Sequence, residues 1–348
     1  MEEVSANRVV SDTARAARLS VAPMMDWTDR HCRFFHRLMS RETLLYTEMV
    51  TAPALVRGGA VHLLGHDCAE HPVAVQLGGS DPAELARAAA LCCDAGYDEI
   101  NLNVGCPSDR VQSGRIGAVL METPSLVAEC TRAMIEACSV PVTVKCRIGI
   151  DNQDPHVVLP RFLENVSASG VSRFQIHARK AWLEGLSPKQ NRDVPPLEYE
   201  LVLAMKRKFP HLHITLNGGI GSLSMVQELL ELGLDGVMVG RAAYHTPAEI
   251  LLRADEEIFG RPGSKSPFQI ADEMRPYIAR HLASGGRLHN ITRHMLGLFS
   301  GRPGAKGWRR ILSEGAQDKS AGMEVLDAAL VMVSVAPEEG VMRNAGTK

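Results

Sequence analysis

No CxxC pair and no cysteine–histidine spacing of the kind that makes a zinc site occurs in this chain. Its eight cysteines, Cys32, Cys68, Cys92, Cys93, Cys106, Cys130, Cys138 and Cys146, are scattered through 348 residues. Scattered thiols in a chain this long read as reduced cysteines of a cytosolic protein, most of them small core residues. Also missing is any apolar run near the ~20 residues that a membrane span needs. The first 18 residues mix Glu2, Glu3 and Asp12 with three arginines and contain no apolar stretch. That excludes a secretory signal there and predicts a disordered lead-in over 1–18. An excess of charge of one sign is absent as well: 38 Lys/Arg stand against 40 Asp/Glu, for a net −2. A surface basic all over is thereby excluded, and charge has to be read segment by segment. There is no low-complexity tract and no repeat beyond an alternation of short elements. What remains is a cytoplasmic globular protein, 45% hydrophobic, long enough for one large domain and a smaller one.

The alternation carries the fold. Short apolar runs at Leu19–Ala22, Leu44–Glu48, Pro72–Leu77, Glu99–Val104, Pro141–Arg147, Arg173–His177, His213–Asn217 and Gly236–Gly240 read as eight strands. Helical patterns lie between them at Pro82–Ala95, Ser125–Cys138, Pro155–Ser169, Leu197–Lys208 and Ser222–Leu232. Asp81-Pro82 and Thr123-Pro124 are helix starts, a capping residue followed by proline in the first turn. Gly96, Gly170 and Gly233 stand where helices should stop. Strand–helix alternation implies a parallel sheet, and eight units imply its closure into a (β/α)8 TIM barrel over 19–259. After Phe259, Gly260-Arg261-Pro262-Gly263 marks a linker. Residues 267–284, 286–299, 304–315 and 319–334 then read as helices. The second domain, 265–335, is expected to be a small helical bundle, with a flexible tail over 336–348.

Strand side chains alternate between barrel interior and surrounding helices. In Val142–Arg147 the apolar set Val142, Val144 and Cys146 should face the helices, leaving Lys145 and Arg147 inward. By the same parity Gln76, Asn101, Asn103, Gln175, His177, Thr215 and Asn217 point inward. A single inward His or Gln is more often a satisfied core group than a ligand. An inward lysine is harder to dismiss, because burying an unpaired ammonium costs several kcal/mol. Five strands aim polar groups at one place near their C-terminal ends, the end that carries barrel active sites.

Two loops add to the mouth. Asn217-Gly218-Gly219-Ile220-Gly221-Ser222 follows the seventh strand and Gly240-Arg241 the eighth, where glycines permit close backbone approach to a phosphate. Cys106 stands just beyond the fourth strand in Asn103-Val104-Gly105-Cys106-Pro107. A loop thiol over the mouth can act as nucleophile or as general acid, because an ordinary thiol is mostly protonated at neutral pH.

These motifs in this order resemble the tRNA-dihydrouridine synthases. The resemblance runs through Val21-Ala22-Pro23-Met24-Met25-Asp26-Trp27-Thr28-Asp29, Asn101 to Pro107, Val144-Lys145-Cys146-Arg147, Ile176-His177-Ala178-Arg179, Asn217-Gly218-Gly219 and Gly240-Arg241. Trp27-Thr28-Asp29-Arg30, Lys189-Gln190-Asn191-Arg192 and the stretch Gly301–Arg310 are most similar to the bacterial A subfamily. The resemblance implies FMN reduced by NADPH, with hydride passing to C6 of a uracil and Cys106 protonating C5. It implies FMN contacts from Pro23, Met24, Met25, Gln76, Lys145 and His177, and a phosphate seat at Asn217, Gly218, Gly219, Gly240 and Arg241. It further implies that Asn103 meets the target base, that Lys189, Arg192, Lys306 and Arg309 touch tRNA, and that the uridines are positions 20 and 20a of the D loop. Lys306 stands where arginine is expected, which keeps charge but not bidentate phosphate recognition.

Charge distribution favours an RNA partner independently. From Lys265 to Arg310 there are nine Lys/Arg against Asp272 and Glu273 alone. A basic domain beside the mouth suits a polyanionic substrate. An alternative, a flavin-dependent dehydrogenase or reductase of a free pyrimidine, shares the barrel and cysteine logic but leaves that basic segment without a purpose. No obligate protein partner is evident, and a monomer is the default. Trp308, among these basic residues, reads as core rather than as a base-stacking platform.

Overall fold

The computed structural model describes residues 13–108 and 115–334. Eight strands close into one barrel in chain order: β1 (Leu19–Val21), β2 (Leu44–Thr51), β3 (Val73–Gly78), β4 (Glu99–Val104), β5 (Val142–Arg147), β6 (Arg173–His177), β7 (His213–Asn217) and β8 (Gly236–Val239). Each pairs in parallel with its neighbours, and β1 with β8 completes the ring through Leu19 opposite Val237 and Val21 opposite Val239. β2 runs past the expected end at Glu48 because its pairing with β3 shifts register between Tyr46 and Met49. That irregularity turns Thr47 toward β3, where its hydroxyl accepts the Gln76 amide at 3.0 Å.

The helices that wrap the barrel are α1 (Arg30–Met39), α2 (Pro82–Asp94), α3 (Pro124–Ala137), α4 (Pro155–Ser167), α5 (Tyr199–Lys208), α6 (Leu223–Glu231) and the short α7 (Arg241–His245). Asp81 caps α2, its carboxylate accepting from Glu84 N at 2.7 Å, worth about 1 kcal/mol. Thr123 does not cap α3 with its side chain; Pro124 alone marks that start. Gly96, Gly170 and Gly233 follow their helices with φ of 90°, 106° and 99°, a conformation that costs glycine least. The outward strand set Val142, Val144 and Cys146 joins the apolar core between barrel and helices.

The lead-in is shorter than the expected 1–18. Thr13–Ala16 are helical, and Ala16 and Ala17 are buried. Arg173, at the start of β6, donates to Thr13 O at 2.9 Å and to its hydroxyl at 3.1 Å. These side-chain bonds fix the segment across the end of the barrel opposite the mouth. The remainder of the predicted lead-in, 1–12, and the predicted tail lie outside the described residues.

Beyond the linker come α8 (Pro267–Ala283), α9 (Leu288–Met295), α10 (Ala305–Gly315) and α11 (Met323–Ser334), with no strand among the described residues. Their core contains Trp308, fully buried, its ring edge-on to Phe299 at 4.8 Å and its indole N–H donating to Met295 O at 3.0 Å. Trp308 is therefore unavailable for stacking on a base. Asp29 fastens this domain to the barrel. Its carboxylate caps α1 through His31 N and Cys32 N, and also meets Arg293 at 2.6 Å and His294 at 3.0 Å on α9. Burial would raise the Asp29 carboxyl, but the His294 hydrogen bond and charge hold it well below the usual range. No helix of the described residues is long and apolar enough to cross a membrane.

Candidate active site

The inward set forms a connected layer beneath the mouth. Gln76 donates to Asn101 at 2.7 Å and accepts from Asn103 at 2.7 Å. Asn101 donates to Thr143 at 2.9 Å and to Gln175 at 2.8 Å, and Gln175 donates to the Tyr46 hydroxyl at 3.1 Å. Below them Glu99 accepts from Tyr46 and Thr143, each at 2.6 Å. Its other oxygen lies 2.9 Å from Arg173 Nη1. This buried ion pair shares the guanidinium with Thr13, whose carbonyl and hydroxyl accept from Arg173. Gln76, Asn101, Gln175 and Glu99 are all at most 1% exposed. Burial at that depth is tolerable only because the polar atoms satisfy one another.

Above this layer sits the Cys106 loop. Asn103 Oδ1 accepts from Gly105 N at 3.0 Å and Cys106 N at 2.9 Å. Its amide nitrogen is held by Gln76, so Asn103 fixes the loop as well as facing the mouth. The Cys106 thiol donates to the Ser108 hydroxyl at 3.5 Å and is half-buried. Cys146, by contrast, is fully buried toward the helices, and burial pushes its thiol up to about 12. The two thiols thus separate into an inert core group and a group at the mouth.

Lys145 is held to Asn217, its Nζ donating to Oδ1 at 3.0 Å, while Asn217 Nδ2 donates to Met238 O at 2.8 Å. Burial, then the neighbouring Arg147 charge, lower the Lys145 amine to about 8. His177 is lowered well below the usual imidazole range by burial and then by Arg147 and Lys145, so its ring is neutral. Its Nδ1 is buried and has no hydrogen-bond partner, and neither has the buried Nε of Arg179.

The glycine loops stand beside these nitrogens. Gly218 (φ 114°) lies so close to the His177 ring that a Cβ would be 3.1 Å from it, and a Cβ on Gly219 (φ 72°) would be 2.6 Å from Leu197. The Tyr199 hydroxyl donates to Gly218 O at 2.5 Å. Gly240 abuts the β1 loop, its Cβ position 3.8 Å from Met24. Thr28 closes that loop by bonding Met24 N at 3.0 Å and Met24 O at 3.2 Å. Pro23 and Met24 are half-buried here, whereas Met25 is 62% exposed. Ser222 caps α6 by accepting Met225 N at 3.2 Å, so the helix proper begins beyond the glycines.

Lys189 and Arg192 lie exposed on a short 3-10 turn, Gln190–Arg192, over the mouth. Arg241 is partnered by Asp193 of the same segment at 2.8 Å, and an incoming phosphate would compete with that carboxylate. Partial desolvation over the mouth, and after it the Arg241 charge, lower the Arg192 guanidinium. Lys306 and Arg309 are exposed on α10, in the helical domain rather than at the mouth. The residue that motif reading left without a role is Arg147. It is 4% exposed and donates to Gly105 O at 3.1 Å, Lys180 O at 3.1 Å and Asn191 O at 3.0 Å. Strand parity gave its direction but not its destinations.

Residues 20–334 match the profile of the family described as dihydrouridine synthase (Dus). The chain is 55% identical to the tRNA-dihydrouridine(20/20a) synthase of Vibrio vulnificus, over 91% of this chain and 97% of that protein. It is 54% identical to the protein of that name from Escherichia coli K12, over 96% of each. Among solved structures it is similar to morphinone reductase in complex with tetrahydroNAD, at 11% identity and a TM-score of 0.47, over 73% of this chain and 90% of that one.

Proposed function

The chain belongs to the dihydrouridine synthase family, and from that premise we propose that it reduces the C5–C6 double bond of uridines 20 and 20a in the D loop of tRNA. FMN is its cofactor and NADPH the reductant. The observation that carries this reading is Cys106, mounted on an asparagine-held loop above a layer of inward polar residues beside Lys145.

The residues at the mouth fit a flavin mononucleotide. Lys145 offers a half-buried cation beside Asn217, and His177 Nδ1 and Arg179 Nε are buried nitrogens awaiting a partner. Gly218 and Gly219 leave backbone open where any side chain would collide. Gln76, Lys145, His177, Pro23, Met24 and Met25 would hold the ring. Asn217, Gly218, Gly219, Gly240 and Arg241 would hold the phosphate. Bound there, FMN would supply a hydride for C6 of the uracil.

The chain's own contribution is orientation and a proton. Lys145 places positive charge where an anionic ring system needs it. The Cys106 S–H bond breaks as its proton goes to C5, and solvent later reprotonates the sulfur. Asn103 holds the thiol's loop, and the second proton of its amide nitrogen is available to a carbonyl of the base. The base must reach both the Cys106 thiol and the flavin seat inside the mouth, so the uridine must leave the RNA stack. Lys189, Arg192, Lys306 and Arg309 contact tRNA phosphates in this reading.

The test uses purified protein. A flavin absorbance spectrum and NADPH-dependent dihydrouridine in tRNA, with none formed from free uridine, are the expected results. Reduction of the free pyrimidine alone would sink the proposal. Mapping dihydrouridine in tRNA from a strain lacking the gene checks the positions.

A further inference from the structure

Arg147 joins the Cys106 loop to two points of the segment after β6, adjacent over the mouth. Its Nε reaches the carbonyl of Gly105, the residue before the cysteine. Its Nη1 reaches Lys180 O, beyond β6, and Asn191 O, inside the turn that carries Lys189 and Arg192. Hydrogen bonds from an ionised donor are roughly twice as strong as neutral ones, and this donor is almost wholly buried.

Both ends of the connection are stiff. On one side, Asn103 grips the amides of Gly105 and Cys106. On the other, Asn191 is fully buried, and its side chain closes its own loop. Its Oδ1 accepts from Trp182 N at 2.7 Å, and its Nδ2 donates to Trp182 O at 2.8 Å and Leu186 O at 3.1 Å. A displacement of the turn is therefore carried to Asn191 O, through the guanidinium, and onto Gly105 O.

We propose that Arg147 is a positioning residue that couples the RNA-facing turn at Lys189 and Arg192 to the loop presenting the Cys106 thiol. Contact with the polyanion at the turn then sets the cysteine's presentation. This rests on the function proposed above, in which Cys106 donates the proton and the turn meets tRNA.

The test reads the thiol directly in the flavin-loaded full-length protein without tRNA, so that occlusion by RNA plays no part. The rate of Cys106 alkylation by iodoacetamide is followed by mass spectrometry of its peptide. Asn191→Ala loosens the turn from its far side. It should change the Cys106 rate about threefold or more when Arg147 is present, and less than about twofold in an Arg147→Met background, a non-additivity expected of contacting groups. Should Arg147→Met fail to fold, Arg147→Lys keeps the charge but cannot span all three carbonyls, and its Asn191 coupling should likewise fall below about twofold. Equal responses to Asn191→Ala in all backgrounds overturn the coupling. A steady-state split supplies a second check: Arg147→Lys should lower kcat with little change in KM for tRNA, and a rise in KM alone counts against the proposal. The two claims fail separately. Full product formation by Cys106→Ala removes the proton donor, whereas unchanged alkylation coupling removes only Arg147's part.

Discussion

The inside of the barrel and the outside of the helical domain use polar residues in opposite ways. Within the barrel, Gln76, Asn101, Asn103, Thr143, Gln175, Glu99 and Arg173 bond to one another or to backbone, and little is left over for solvent. In the helical domain the interior is apolar around Trp308 and Phe299, while Lys306, Arg309 and Arg310 of α10 stand in water. The first arrangement fixes atoms to within a hydrogen bond. The second leaves long cations free to follow a flexible polyanion. Chemistry at one atom needs the former, and recognition of a phosphate backbone works with the latter.

Four experiments can break or sharpen that contrast. The largest effect belongs to the fixed side. Cys106→Ala should cost about 10²–10⁴ in turnover, the range of a lost general acid, with flavin absorbance and tRNA affinity unchanged. Undiminished dihydrouridine formation would take the thiol out of the mechanism. Next, Glu99→Gln leaves the buried Arg173 cation without its carboxylate. It should destabilise the fold by about 3–5 kcal/mol in urea titrations; a cost within the scatter of surface substitutions would mean that the interior network is not under tension.

On the solvated side, Arg309→Glu should weaken tRNA binding about tenfold and flatten its salt dependence by roughly one phosphate contact, at constant flavin content. Equal affinity at every salt concentration would exclude α10 from the interface.

The smallest effect is a proton count. The Lys145 amine sits near 8 in the folded chain against an ordinary 10.5. The native state thus sheds this proton before the unfolded state does. Its burial penalty is full below pH 8 and fades as the pH rises toward 10.5. An anionic cofactor should pull the amine back up. Binding of FMN at about pH 9 should then take up close to one proton, and at about pH 7, where the amine is already charged and the phosphate monoester mostly dianionic, much less, as read from binding enthalpies in two buffers. No buffer dependence at the higher pH would place Lys145 away from the bound anion.

Much of this was legible in the sequence, for identifiable reasons. A period of two places Lys145, Asn103 and His177 inward whatever their partners, because strand geometry allows nothing else. Glycines after helices and the cap at Asp81 are local signals with local causes. What escaped depends on partners distant in the chain. The register shift after Tyr46 exists only in the pairing of β2 with β3. Parity told that Arg147 faces in, but not that it reaches Asn191, 44 residues later. The motif marks Asn103 as a contact for the base, but not that its oxygen also holds two loop amides. Asp29 looked like part of a motif; its bonds to Arg293 and His294 appear only when the two domains meet.

Thr13 gives the barrel a floor. Arg173 is shared between Glu99 at the heart of the interior and the Thr13 backbone beneath it. A chain begun at Leu19 would admit water to Arg173 and Glu99 from below, loosening from the rear a site that works from the front. For this protein, then, the place never to trim is the helical turn that begins at Thr13.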